Sequence, residues 1–532
     1  MKSEMQLIAL DVSWLSGLLA LFLLSGWLRS QETDLTQTPN AAGAGIALSF
    51  PQQVGAGHGD ILTPGSSMFL IKRDPFRSIA RGRQIFQRKF TLAQGLGPRT
   101  NDGVGNIEVD GSHGAGLTDS CAACHGRPRG AAGFGGDVFT RPDSRDAPHL
   151  FGLGLQEMLA DEITKELRAI RAGAIQQAVA TAHAVTRRLS AKGIHYGRIK
   201  ALPNGQVETN RIVGVDTDLR VRPFFAEGTT ISIREFLVGA FNAEMGLEAV
   251  DPLTLAASMG SDVVTPSGME LTGSIDQIEA PPVSGPLDDG DLDGVVDEYP
   301  TSVVDHMEFY LLNYFAPATY RQKGDEAQGR ALLATIGCTD CHIPNLLIDN
   351  DRRVANVTTV YRPLERGFNG LFATASALVD VVPDTSGYAP QQLPAGDDFV
   401  VRGIFTDFKR HDLGPAFYER NFDGTMQTEF MTEPLWGVGS TAPYGHDGRS
   451  INLREVILRH GGEAAESRHN FRALPEQRQE KVIAFLSSLV LFGPPDTASN
   501  LDPAVPGTPG FPQFGHGSLK LSVLFNNPGL PE

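Results

Sequence analysis

Two five-residue segments use all four cysteines of the chain, Cys121-Ala122-Ala123-Cys124-His125 and Cys338-Thr339-Asp340-Cys341-His342. Cys-x-x-Cys-His is the attachment signal of a c-type haem. Two thiols bond the vinyl groups of the porphyrin and the adjacent His reaches the iron, so the macrocycle sets both spacing and order. A bare Cys-x-x-Cys also suits a redox dithiol, half of a zinc site or a disulfide. The chain has only 13 His among 532 residues, and one follows each Cys pair, which favours two covalent haems with His125 and His342 as proximal iron ligands.

A second candidate lies between these segments. Asp289, Asp291, Asp293 and Asp297 fall at positions 1, 3, 5 and 9 of a calcium loop, with Gly294 at the turn position. The twelfth position is Pro300, where a calcium loop carries a bidentate Glu. The stretch therefore reads either as a calcium site that sets the geometry of two halves or as a solvated acidic linker.

The chain is long enough for two or three domains, because single cores rarely grow past about 250–300 residues. Its 59 Gly and 34 Pro predict long irregular stretches. A net charge of −17, from 45 basic and 62 acidic residues, argues against a nucleic-acid partner. Residues 7–28 are almost wholly apolar. They fit an export signal or an N-terminal membrane anchor, with a buried core helix as the alternative. Together with covalent haem attachment they predict an extracytoplasmic, periplasmic protein, either released or held at the inner membrane.

The elements that must position these residues are legible in outline. Apolar spacing predicts helices over 78–86, 156–190, 302–315, 325–336 and 478–491. Residues 193–215 alternate as a hairpin turned at Pro203-Asn204-Gly205, and 344–400 reads as loops and short strands. The expected organisation is a signal or anchor at 1–30, a flexible lead at 31–73, an N-terminal haem domain at 74–280, and an acidic linker at 281–300. A C-terminal haem domain at 301–492 and an extended tail at 493–532 complete it. Residues 223–236 resemble residues 443–456, each a Gly turn followed by a Ser- or Asn-started helix. That offset of 220 nearly equals the offset of 217 between Cys121 and Cys338, which points to two related halves.

With the paired motifs and this repeat, residues 75–490 resemble the di-haem oxidoreductase family, relatives of the bacterial di-haem cytochrome c peroxidases and of the methylamine dehydrogenase maturation enzyme. The matching stretches include 81–86, 95–98, 121–126, 147–155, 241–246, 337–342, His411-Asp412-Leu413-Gly414-Pro415, Pro434-Leu435-Trp436-Gly437 and 444–449. The resemblance implies a mainly α fold, with two related cytochrome-c-like haem domains, long loops and minor β hairpins. It also implies calcium between the domains.

The resemblance further assigns roles. His460 stands where the peroxidases carry the distal Met of the electron-accepting haem, implying bis-histidine ligation with His342; a His stabilised at a helix C-terminus is the alternative. His411 and His446 are rival ligands, or residues that support a ligand from behind. The residue 220 before His460 is Ala240, which cannot bind iron, so the His125 haem is expected to be the reactive one. His149 has three readings: a sixth ligand, a distal acid/base, or a surface residue. Glu244 resembles the distal catalytic carboxylate, with an exposed helix acid as the alternative and Glu157 and Glu227 as weaker substitutes. The peroxidases place a Trp between the irons in a Phe-Trp-Asp-Gly segment, but here the segment is Phe225-Ala226-Glu227-Gly228. Trp436, the one Trp outside the N-terminal apolar stretch, is a candidate relay or haem-edge packing residue; Tyr444, Phe224 and Phe225 are other candidates.

The expected function is that of a di-haem c-type peroxidase-like oxidoreductase. A small c-type cytochrome or copper protein would supply electrons, and peroxide or oxygen would be the small substrate. A di-haem oxygenase or oxidase acting on an organic or protein substrate, and a non-enzymatic multihaem electron-transfer protein, are the alternatives.

Overall fold

A computed structural model describes residues 53–88, 90, 120–125, 147–289, 294–314, 317–319, 322–358, 374–421 and 424–491. Helix outweighs strand among them, and the strands form one three-stranded sheet and several two-stranded ones.

Helix α1 (Ser67–Arg73) begins where the Ser66 side chain accepts the Phe69 N–H, and α2 (Pro75–Gln87) begins with proline at its first position. The short α3 (Cys121–His125) carries the first cysteine pair. Helix α4 (Leu153–Thr181) starts after Gly152 at φ 76° and ends at Ala182 at φ 54°. The chain then turns into strands Val185–Ala191 and Ile194–Ala201, paired antiparallel, with Val207–Glu208 on the far edge. The predicted 156–190 helix is thus divided. Ala182 in the left-handed region ends the helix, and residues 185–191 then pair with 194–201; Val185, Leu189 and Ala191 are buried but Arg187 between them is exposed, so the burial pattern alone does not set strand from helix. The predicted turn forms, with Gly205 N–H donating to the Leu202 carbonyl, but the longer partner of Ile194–Ala201 lies upstream of it.

Helices α5 (Ile233–Met245) and α6 (Pro252–Ser258) follow, and α7 (Thr301–Leu312) comes after the acidic segment. Helix α7 is buried on every side from Ser302 to Leu312. Two glycines let it in: a Cβ on Gly82 of α2 would stand 2.1 Å from the His306 carbonyl oxygen, and one on Gly154 of α4 would stand 2.0 Å from that of Leu312. At the centre of this packing the Arg234 guanidinium, wholly buried, bonds Asp251 (2.9 Å), Asp305 (2.9 Å) and Glu308 (3.0 Å). Asp305 also accepts from His58 (2.6 Å) and Ser67. Buried charges persist only when paired in this way.

Helix α8 (Asp325–Thr335) delivers the second cysteine pair, which opens a 3₁₀ turn at Cys338–Asp340. Short strands occupy much of 345–402 as predicted. Helices α9 (Leu453–Arg459), α10 (Ala465–Ala473) and α11 (Glu476–Ser487) complete the chain. One large core joins Phe86, Leu159, Tyr196, Phe241 and Met307 with Ile348, Ile404 and Trp436. A smaller one gathers Leu333, Phe405, Leu453, Phe471 and Phe485.

The internal repeat is visible in the geometry. Phe224 bridges Thr230, and Tyr444 bridges Ser450, the same pair 220 residues on. Gly228 (φ 63°) and Gly448 (φ 62°) occupy equivalent left-handed positions. Ser232 and Asn452 cap α5 and α9 by accepting the N–H of Glu235 (3.1 Å) and Glu455 (2.9 Å). Those glutamates reach back to the N–H of Ile231 (2.7 Å) and Ile451 (3.0 Å), a capping box whose return bond falls one residue before the cap in both copies.

The expected periplasmic placement with an inner-membrane anchor is corrected on one finding: among the described residues no helix is long and apolar enough to cross a membrane. The apolar stretch 7–28 and the tail from 492 lie outside the described residues.

Candidate functional site

A single cavity of about 1380 Å³ takes both Cys-x-x-Cys-His segments into its wall. It exceeds the roughly 300–1,000 Å³ usual for a small-molecule pocket. His149, Glu244, Trp436 and His460 line it too, as do His411, His446 and Glu227.

Three of these histidines share one arrangement. His125 donates from Nδ1 to the Pro148 carbonyl (2.7 Å), His342 to that of Phe405 (3.0 Å), and His460 to that of Val456 (2.7 Å). A carbonyl only accepts, so Nδ1 holds the proton and Nε2 keeps its lone pair, the tautomer of an imidazole that binds metal through Nε2. Burial pushes the pKa of His125 and His460 down to about 4 and lowers that of His342, keeping all three neutral. His342 lies near enough to add to the depression at His460.

His149 differs. Its Nε2 donates to the Trp436 carbonyl (3.1 Å) and its Nδ1 accepts the Phe151 N–H (3.2 Å). Both ring nitrogens are thus engaged with backbone groups, unlike those of His125, His342 and His460. The half-buried ring lies in the cavity wall. Of the rival ligands, His411 is engaged on both ring nitrogens. His411 sits between Asp407 (2.9 Å) and Glu463 (2.8 Å). Burial works against its charge, yet Asp407 and Cys341 raise its pKa to about 10, so both nitrogens carry protons. The His446 ring stacks on Phe430 at 3.9 Å; its Nε2, 3.2 Å from the Glu419 carboxylate, is buried and makes no hydrogen bond among the described residues.

No disulfide joins any two of the four cysteines. Burial, reinforced by the neighbouring cysteine, pushes Cys121 and Cys338 up to about 12. A redox dithiol requires the opposite shift. Cys341, Asp407 and His411 bring ligand atoms within 4.8 Å of one another, but a metal there would need the Cys341 sulfur of the second motif and a deprotonated His411.

Glu244 lies on α5 one turn beyond Ala240, and both face the cavity. Glu157 is not in the cavity wall; it is fully buried and accepts from the Ile233 N–H and from Arg352, each at 2.7 Å, which makes it a structural residue. Trp436 is 4% exposed, and its ring packs on Gly152, where a Cβ would stand 2.8 Å away. In the acidic segment Asp289 accepts the Gly294 N–H (3.0 Å) and Asp297 takes φ 50°. Asp291 and Asp293 lie outside the described residues, and among the described residues the segment forms no cluster of metal-ligand atoms. The partners that sequence reasoning missed are the carbonyls of Pro148, Phe405 and Val456, since every residue type carries that group.

Residues 384–489 match the family described as "Di-haem oxidoreductase, putative peroxidase". The matched fifth of the chain holds His411, Trp436, His446 and His460 and neither cysteine pair. No curated protein matches the chain. Among solved structures, Kuenenia stuttgartiensis hydrazine synthase, pressurised with xenon, is similar at 13% identity and a TM-score of 0.22. The likeness covers 36% of this chain and 57% of that one, and at that score it carries no argument.

Proposed function

We propose that the chain is a di-haem c-type oxidoreductase of the peroxidase class, with one haem on Cys121, Cys124 and His125 and the other on Cys338, Cys341 and His342. One observation carries the reading: both motifs and His460 meet in a single cavity, with the three histidines held in the same tautomer by backbone carbonyls. The two repeated turn-and-cap segments support a pair of related haem domains on either side of the acidic linker.

When bound, the haems supply one-electron redox chemistry at two irons. His342 and His460 would hold the second haem through their Nε2 atoms, which would suit electron uptake from a small c-type cytochrome or copper protein. At the repeat position of His460 the first half has Ala240, whose methyl leaves room for a small oxidant beside α5. Glu244, one turn on, takes a proton from one peroxide oxygen and returns it to the other, so that two electrons and two protons convert peroxide to two waters. Calcium in the acidic linker remains part of this proposal, with Asp289, Asp291, Asp293 and Asp297 as its ligands.

Replacing Glu244 by Gln keeps the shape and removes the proton acceptor. Peroxide turnover with a reduced donor is expected to fall by about 10²-fold or more at unchanged haem content. A chain carrying two haems that is inert to peroxide refutes the reading. A second reading, oxidation of an organic or protein substrate, draws on Phe225. Its ring lies in the cavity wall 5.5 Å from Phe236, 45% exposed, on a backbone at φ 61°. Peroxide has no use for such a surface. An electron carrier would instead show both irons six-coordinate and unresponsive to peroxide.

A further inference from the structure

The two proximal histidines are joined by four hydrogen bonds through backbone segments no longer than two residues. His125 donates to the Pro148 carbonyl (2.7 Å). The next residue, His149, donates from its ring to the Trp436 carbonyl (3.1 Å). Leu435, one residue back, donates its N–H to the Ile404 carbonyl (3.0 Å). Phe405, the residue after that, accepts from His342 (3.0 Å).

Each part of this strip is fixed by its surroundings. The Phe151 N–H on Nδ1 sets the His149 tautomer so that Nε2 donates. Gly437, at φ 80°, makes space for the ring, since a Cβ there would stand 3.0 Å from His149 Nε2. Phe405 is held against the second motif by the bonds on either side, Ile404 N–H to the Pro344 carbonyl and Thr406 N–H to that of Ile343, both 3.1 Å. The segment 225–228, meanwhile, has no Trp.

We propose that this strip is the electron route between the two sites, with His149 its one side-chain link. His149 is a positioning residue in this scheme, acting through the Trp436 carbonyl. The inference rests on the two-haem reading above. With both haems bound, the strip would pass one electron from the iron His342 would hold, oxidised from ferrous to ferric, to the iron His125 would hold, reduced from ferric to ferrous. Every N–H keeps its proton, and the external donor restores the first electron.

The test uses the full haem-loaded chain with two variants. His149→Phe keeps a ring and removes the N–H; His149→Gln restores a donor. The rate of electron transfer between the haems after flash photoreduction is expected to fall about tenfold or more in the Phe variant, the scale on which partners of iron-binding histidines are felt. The haem content and spectra of both sites should stay unchanged, and the Gln variant should recover most of the rate. A merely structural role would not separate the two variants in this way. Independently, ¹⁵N NMR of the wild type should report His149 as the Nε2–H tautomer. An unchanged rate in His149→Phe, or an iron-bound His149, overturns the relay while leaving the two-haem reading intact. Mass spectra with no porphyrin on one cysteine pair overturn both.

Discussion

His460 stands where a helix stops. Helix α9 ends at Arg459, and His460 takes extended backbone, φ −54° and ψ 124°. Gly461 and Gly462 follow, and Gly461 donates its N–H to the Leu413 carbonyl (2.8 Å). A Cβ on Gly462 would lie 2.1 Å from the Asp412 carbonyl oxygen, so only glycine lets the chain turn there against residues 412–414. Helix α5 continues through the equivalent Ala240. The exit from the helix lets the His460 ring bond back to Val456 and keep Nε2 unprotonated. If His460 ligates the second iron, His460→Ala should convert that iron from low to high spin in low-temperature EPR, at unchanged haem stoichiometry. A spectrum identical to wild type would return His460 to the role of a helix-end residue.

At the scale of elements, the two capped helices invite direct comparison. Ser232→Ala and Asn452→Ala each remove the acceptor for one helix N–H and should each lower stability by about 1 kcal/mol in denaturant titrations. A shift near zero in either would show that its cap contributes nothing. Helix α7 brings a different dependence. Burial raises Glu308 from its ordinary 4.5 to about 7 even though Arg234 pulls the other way. Because the folded pKa is the higher one, its protonated form stabilises the fold below the unfolded value, and that stability is lost as pH rises through about 7. His58, raised chiefly by its hydrogen bond to Asp305, acts in the same direction. Asp305 is lowered despite burial, by His58 and Arg234, so its contribution is lost only in acid. The melting temperature should therefore fall between about pH 5 and pH 8, and Glu308→Gln should remove most of that slope. A flat wild-type profile would place the Glu308 carboxyl in its ordinary range.

At the scale of the whole molecule, the cavity joins residues from opposite ends of the chain, and its occupancy can be counted. The double variant Cys338→Ser/Cys341→Ser should carry one porphyrin per chain by mass spectrometry, attached at Cys121 and Cys124. Retention of two, or loss of both, would contradict independent attachment at the two motifs. The sequence by itself determined the chemistry on offer, because Cys-x-x-Cys-His is a local signal whose spacing the porphyrin dictates. It also determined the repeat, because a capping box and its glycine turn are written in adjacent residues. Contacts distant in sequence were decided by the tertiary structure alone. Nothing local to His149 shows that its ring bonds the Trp436 carbonyl, 287 residues on. Nor does the pattern of 156–190 reveal that the helix yields to a strand at Val185. Helix α7 follows the acidic segment in sequence, yet it packs against α2 through Gly82, a contact that depends on backbone approach and leaves no periodicity to read.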